Sequence, residues 1–277
     1  MHFLPRRGGN QTAREGRNMF QQLRAFLEEN EAENHLFLGV LASAPEGTRP
    51  VTVEKEGRMV AATIFVERNA VVAGDARFVP QLVSAWKLDV PGAVARADLA
   101  TAWAEEWSRQ RGCQARLAVS QRIYRLEQVI EPPPLPGELR LAEDVEQLTE
   151  WIEGFDQEAL AHERSGREAN RAQALRRARA RMTYFWVVEG RPVSMAALAR
   201  PSQNGVCVNL VYTPPELRGR GYASAVTAAV SQKGLDLGYR FCCLYTDLSN
   251  PTSNSIYKKL GYKPVCDSAH YQFRYSV

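Results

Sequence analysis

The stretch Val206-Cys-Val-Asn-Leu-Val-Tyr-Thr-Pro-Pro-Glu-Leu-Arg-Gly-Arg-Gly-Tyr-Ala223 decides how this chain is read. Its first seven residues are rich in valine and hold no glycine or proline, the composition of a strand. Pro214 and Pro215 lack a backbone N–H, so strand pairing should end there. Arg218-Gly-Arg-Gly221 supplies a turn, and Ala223, Val226 and Val230 then recur at helical spacing up to about Asp236. A strand, a glycine loop and a helix in this order suit a phosphorylated ligand. The first turn of a helix has unpaired N–H groups and a partial positive charge, which a pyrophosphate can meet directly. Gly219 and Gly221 let the backbone come close, small Ala223 keeps the helix start open, and Arg218 and Arg220 offer charge-assisted contacts. The loop is not a Walker loop, since no Gly-Lys-Ser/Thr follows, and it lacks the G-x-G-x-x-G dinucleotide spacing.

The surrounding chain has 277 residues, which suits two domains, and its 45% hydrophobic content is ordinary for a folded protein. No apolar run is long enough to span a membrane. Residues 1–17 are polar, lack the apolar core of a signal peptide and are expected to form a flexible tail. The cysteines Cys113, Cys207, Cys242, Cys243 and Cys266 are odd in number and have no metal-ligand spacing. They are expected to be reduced and mostly buried, in a cytoplasmic protein. A net charge of +4 suits an anionic cofactor without requiring nucleic acid.

Glu131-Pro-Pro-Pro-Leu-Pro-Gly137 reads as a stiff linker, because four prolines cannot sit inside a helix or central strand. It divides the chain into domains expected at 18–130 and 138–277. In the first, helices are expected near 18–29 and 34–41, and strands near 51–53, 59–66 and 70–73. An amphipathic helix is marked by Leu99, Trp103 and Trp107, with closing strands near 115–119 and 123–129. In the second, a short strand at 138–141 precedes a helix capped by Asp144, an arginine-rich helix near 167–182, and strands at 183–188, 193–199 and 206–212. After the loop and its helix come a strand at 241–247, a short helix at 252–260 and two closing strands. Glu56-Gly57-Arg58 echoes Glu189-Gly190-Arg191, and Tyr124-Arg-Leu echoes Tyr271-Gln-Phe, which suggests a worn internal repeat. The fold class expected is α/β in the α+β sense: two tandem domains, each a mostly antiparallel mixed sheet flanked by helices.

Val211-Tyr-Thr-Pro-Pro-Glu-Leu-Arg-Gly-Arg-Gly-Tyr-Ala223 resembles the acetyl-CoA-binding motif of the GNAT superfamily of N-acetyltransferases, and Asn250 with Asn254-Ser-Ile-Tyr-Lys-Lys-Leu-Gly-Tyr262 resembles its second signature. The resemblance covers about 138–277 and looks like a tandem-domain bacterial branch, with the first half degenerate and lacking a pyrophosphate motif. It implies acetyl-CoA as cofactor, held by Val211, Thr213, Arg218, Gly219, Arg220, Gly221, Tyr222, Ala223 and Asn250. In the family the motif strand splays from its neighbour, so that pantetheine pairs with the free edge. The Val211 N–H would then face the acetyl oxygen, and Tyr257 would be the general acid toward the leaving thiolate.

The base is open among Asp156, Glu158 and His162, with Asn209 in the central strand as a water-positioning group. Asn250 reads equally as a turn residue before Pro251, and Tyr257 also as a core tyrosine. Arg171, Arg176, Arg177, Arg179 and Arg181 read first as a solvated helix face, and secondly as an attractor for an acidic partner. The expected partner is a small-molecule or peptide amine, with no specific nucleic acid, no membrane, and a monomer or homodimer. The leading function is N-acetylation of a primary amine. Another acyl-CoA or acceptor, or a non-catalytic acyl-CoA sensor, stays open beside it.

Overall fold

A computed structural model of the chain describes residues 9–45, 47–66, 69–159 and 165–275. The chain forms two compact units, one of residues 1–116 with 270–277 and the other of residues 117–269. Both are mixed α/β.

The first unit opens with helices α1 (Gly9–Glu28) and α2 (His35–Ser43). α1 begins inside the stretch expected to be a tail; residues 10–15 are mostly good helix formers, and residues 1–8 lie outside the described residues. Strands β1 (Val51–Lys55), β2 (Arg58–Val66) and β3 (Asn69–Gly74) pair antiparallel in sequence, and β4 (Gly92–Arg96) runs parallel to β3 after the short helix α3 (Val79–Ala85). α3 and β4 carry no long period and give no clear signal in sequence. Leu23, Leu27, Phe37, Ile64 and Val71 form a core between α1, α2 and the sheet.

Helix α4 (Ala97–Arg111) buries the expected stripe of Leu99, Trp103 and Trp107, and the two indoles stack with centroids 5.6 Å apart. β5 (Cys113–Leu126) is one strand where two were expected, because no glycine or proline interrupts residues 113–126.

Residues 270–275 complete the first unit. The Trp107 indole donates to Tyr275 Oη at 2.9 Å, and that hydroxyl donates to the Val90 carbonyl at 2.7 Å. The Phe273 N–H donates to the Pro91 carbonyl at 2.9 Å. Tyr275→Phe therefore strips partners from groups that are part-buried in this unit. It should destabilise the protein by about 1–3 kcal/mol, read as a lower urea midpoint at unchanged slope.

The second unit has strand order β5-β10-β9-β8-β7-β6. Its elements are β6 (Glu138–Leu141), α5 (Val145–Ala159), α6 (Arg167–Ala180), β7 (Thr183–Val188), β8 (Arg191–Ala199), β9 (Gly205–Tyr212), α7 (Tyr222–Asp236), β10 (Phe241–Asp247), α8 (Pro251–Lys259) and the part of β11 (Lys263–Tyr275) up to Ala269. β11 is also one strand where two were expected. Asp144 caps α5 as its position implies, accepting from Glu146 N and Gln147 N. α7 and α8 cover one sheet face through Val206, Val208, Val226, Val230, Leu244 and Leu260. α5 and α6 cover the other through Leu148, Ile152, Ala174, Phe185 and Leu210.

The turns Glu56-Gly57 and Glu189-Gly190 both hold φ above zero at both residues, the conformation that matches strand twist in two-residue hairpins. The proline-rich stretch 131–137 lies within the second unit, where Pro136 accepts from the Trp186 indole at 3.1 Å. A side chain at Gly137 would strike Trp186 and Val187. Prolines supply a backbone that can lie across a surface without leaving its own N–H groups unpaired.

Candidate active site

The site is built where β9 and β10 part. These parallel strands pair at only three positions, ending at Cys207 opposite Cys243. β9 runs on to Tyr212 and β10 to Asp247, so the last five residues of β9 and the last four of β10 lack a pairing with each other. β10 fills its other edge by pairing with β5 over Gln121–Leu126. A gap between two parallel strands leaves backbone edges on β9 that a ligand can meet.

A bulge in β9 accompanies the gap. Ala197 faces Asn209 and Met195 faces Tyr212, so the single Ala196 of β8 lies opposite Leu210 and Val211. Leu210 takes up the extra residue with φ +53°, a conformation that costs a non-glycine residue roughly 1–3 kcal/mol. Nothing in the valine-rich sequence signals it. The bulge turns the Leu210–Val211 peptide at the level where the strands diverge.

Below the gap lies the glycine loop. Gly219 and Gly221 have φ +75° and +84°. A Cβ on Gly219 would meet open space, while one on Gly221 would lie 2.8 Å from Leu135 Cδ1. Gly221 is the N-cap of α7 and brings no side chain to its N–H groups. Tyr222 and Ala223 form the first turn, half-buried. Thr213 is buried, its hydroxyl 2.8 Å from Ser194 Oγ.

Arg218 is occupied by the protein itself. Its Nε donates to the Thr213 carbonyl at 2.8 Å, and Nη2 donates to both Glu158 oxygens at 2.7 Å. It thereby fastens the loop to the end of α5. Arg220 is exposed and makes no ion pair among the described residues.

Tyr257 projects from α8 into the core on the α7 side and is 8% exposed. Its ring packs against Tyr124 and Tyr262, with centroids 6.5 and 6.0 Å away. Burial pushes its phenol up to about 12, opposed by a hydrogen bond with Ser253. Asn250 caps α8, its side chain accepting from Ser253 N at 3.0 Å. Asn254 holds the same turn by donating to the carbonyls of Asp247 and Asn250, and accepts from Tyr124 Oη at 3.0 Å.

The base candidates separate. Glu158 is committed to Arg218, and His162 lies outside the described residues. Asp156 is 7% exposed; burial raises its pKa, against a hydrogen bond from Asn170 and the charge of Arg177. It lines a cavity of about 310 Å³ with Glu153, Gln157, Ser165, Arg167 and Asn170. Asn209 Oδ1 is buried with no hydrogen-bond partner, on the sheet face that carries α5 and α6.

All five cysteines are free thiols and four are buried, and no helix among the described residues is long and apolar enough to cross a membrane. No group of histidine, cysteine, aspartate and glutamate among the described residues could hold a metal ion.

Comparison with solved structures gives a shared fold over most of the chain. A GCN5-related N-acetyltransferase from Kribbella flavida superposes with TM-score 0.60 at 18% identity, covering 89% of this chain and 95% of that one. A GCN5-related N-acetyltransferase from Sphaerobacter thermophilus gives 0.60 at 18% identity, covering 86% of each chain. A Drosophila protein gives 0.69 at 13% identity, covering 93% and 96%. No curated protein matches the sequence. Over residues 145–262, which contain the bulged strand, the glycine loop and helices α7 and α8, the chain matches the Acetyltransferase (GNAT) family.

Proposed function

We propose that the second unit is an acetyl-CoA-dependent N-acetyltransferase acting on a primary amine. The observation that carries this reading is the splay of β9 from β10 beside a bulge and above an uncapped, glycine-bounded helix start. The open space at Gly219 and the missing side-chain cap at Gly221 fit a pyrophosphate, which the first-turn N–H groups of Tyr222 and Ala223 can bind. Arg220 is free to add charge, while Arg218 acts by shaping the loop. Bound acetyl-CoA would supply an acetyl group already activated as a thioester. Val211 and Thr213 would hold the pantetheine arm along the free edge of β9, with the Val211 N–H polarising the acetyl carbonyl. Asn250 serves as the cap of α8 and so positions Tyr257.

A phenol near 12 stays protonated at working pH and donates a hydrogen bond. Full proton transfer to a thiolate of pKa about 8.5 would run uphill by several kcal/mol. Tyr257 thus stabilises the departing sulfur chiefly as a hydrogen-bond donor, and the attacking amine's own proton completes the balance. Asp156 is the candidate base for that proton, and Asn209 Oδ1 could hold a water between the amine and Asp156 as a hydrogen-bond acceptor.

The first unit lacks this apparatus. After β3 the chain turns at Asp75, whose carboxylate accepts from Arg77 N and pairs with the Arg77 guanidinium, leading into the seven-residue α3. A carboxylate stands where a phosphate-binding turn would need glycine. We read this unit as a degenerate copy of the second that carries no cofactor.

The test is calorimetric titration of the purified protein with acetyl-CoA, followed by mass spectrometry of any retained acyl-CoA. One equivalent of acetyl-CoA per chain is expected. Two equivalents would overturn the degenerate reading of the first unit. Retention of only a longer acyl-CoA would replace acetyl transfer with transfer of that group.

A further inference from the structure

The α5/α6 face of the second unit carries buried polar atoms that the fold leaves unpaired. Helix α6 turns Asn170, Ala174 and Arg177 inward at i, i+4 and i+7, where a core stripe would ordinarily be apolar. Arg177 is tucked under the sheet with its Nε wholly buried and without a hydrogen-bond partner. Arg200, at the end of β8 with φ +47°, also buries its Nε without a partner among the described residues and donates from Nη2 to the Cys207 sulfur at 3.6 Å. The two guanidiniums lie close enough to repel. Burial first, then Arg200 and Arg176, holds Arg177 down to about 10.

Asp156 is the carboxylate that acts on Arg177. The thiol of Cys243 beside Arg200 is pushed well up by burial, so it brings no negative charge at neutral pH. The sulfur of Cys207, to which Arg200 donates, acts favourably on both guanidiniums, yet each keeps a buried Nε–H without a partner among the described residues, a donor that an anion can meet. Arg200, just past the end of β8, is held in the left-handed region by its surroundings. On the same face, next along β9 from Cys207, Asn209 presents an orphaned carbonyl oxygen, an acceptor for an N–H. Orphaned donors beside an orphaned acceptor complement a molecule with one negative and one N–H-bearing end.

We propose that the acceptor amine also bears a carboxylate, which Arg177 and Arg200 bind while its nitrogen faces Asn209. This rests on the acetyltransferase reading of the same unit. The two oxygens of a carboxylate match the two orphaned Nε–H donors. The substrate class is then a free amino acid or an amine of similar zwitterionic form.

The test uses thermal unfolding of the full chain with N-acetylglycine, N-acetylphenylalanine and N-acetylglutamate, each against its α-carboxamide, at matched ionic strength. At least one free acid should raise Tm by about 3 °C or more while its carboxamide does not. Arg177→Gln and Arg200→Gln should each remove that rise, with acetyl-CoA affinity within twofold of the unaltered protein. Equal shifts for acids and carboxamides, or a rise that survives both substitutions, would overturn the proposal. A rise with inorganic phosphate and none with any acid would overturn the carboxylate as the ligand. Because the unaltered protein alone decides the first comparison, a variant that fails to fold does not rescue the proposal. Acetyl-CoA titration run in parallel separates the outcomes: loss of cofactor binding by the unaltered protein sinks the acetyltransferase reading and leaves the carboxylate result to stand or fall by itself.

Discussion

Gly221→Glu is expected to weaken acetyl-CoA binding by at least 100-fold. Three effects act in the same direction. Gly221 sits at φ +84°, which a side chain tolerates only with strain. A Cβ there would meet Leu135 Cδ1 at 2.8 Å, so the Leu135 side chain would have to shift. The new carboxylate would then stand at the start of α7, at the N–H groups proposed to bind the pyrophosphate, and repel the ligand it competes with. Gly221→Ala isolates the first two effects and should weaken binding by roughly tenfold or less. Calorimetry on both variants, with far-ultraviolet circular dichroism as a folding check, reads the difference. Unaltered affinity in Gly221→Glu would remove the loop from the cofactor site.

Tyr257→Phe is expected to slow thiol release from acetyl-CoA at least tenfold with cofactor affinity changed by less than about twofold. The ring contacts with Tyr124 and Tyr262 survive in phenylalanine, so the fold should hold. Only the hydroxyl is lost. A hydrogen bond given to charge that develops during reaction typically costs about 10- to 1,000-fold in rate when removed. Such a loss appears in kcat and not in cofactor binding. The rate of the unaltered enzyme should show no fall from Tyr257 ionisation below about pH 11, because burial holds the phenol near 12. Turnover in Tyr257→Phe equal to that of the unaltered protein would leave Tyr257 a core residue.

Local elements of the second unit were legible because their signals are short in range. Asp144 caps α5 through its own next residues, Glu-Gly turns select φ above zero, β9 follows from its valine-rich run, β10 from its apolar and aromatic run, and α7 from helical spacing. The loop glycines were legible for the same reason, since φ above zero is a property of one residue. Other features depend on partners far along the chain. Whether Arg218 faces a ligand or Glu158, sixty positions away, cannot be read from its neighbours. Nor could the boundaries of the compact units, because residues 270–275 belong with Trp107 and Val90.

The sequence by itself determined a strand ending in prolines, a glycine loop and a helix over residues 206–236, the basis for proposing a phosphate there. Tertiary structure alone decided what surrounds that motif. Strand divergence after Cys207, the bulge at Leu210 and the meeting of Arg177 with Arg200 each depend on register between strands or packing of a helix on a sheet. Such register is set by the sum of many side-chain contacts, so no single run of residues carries it.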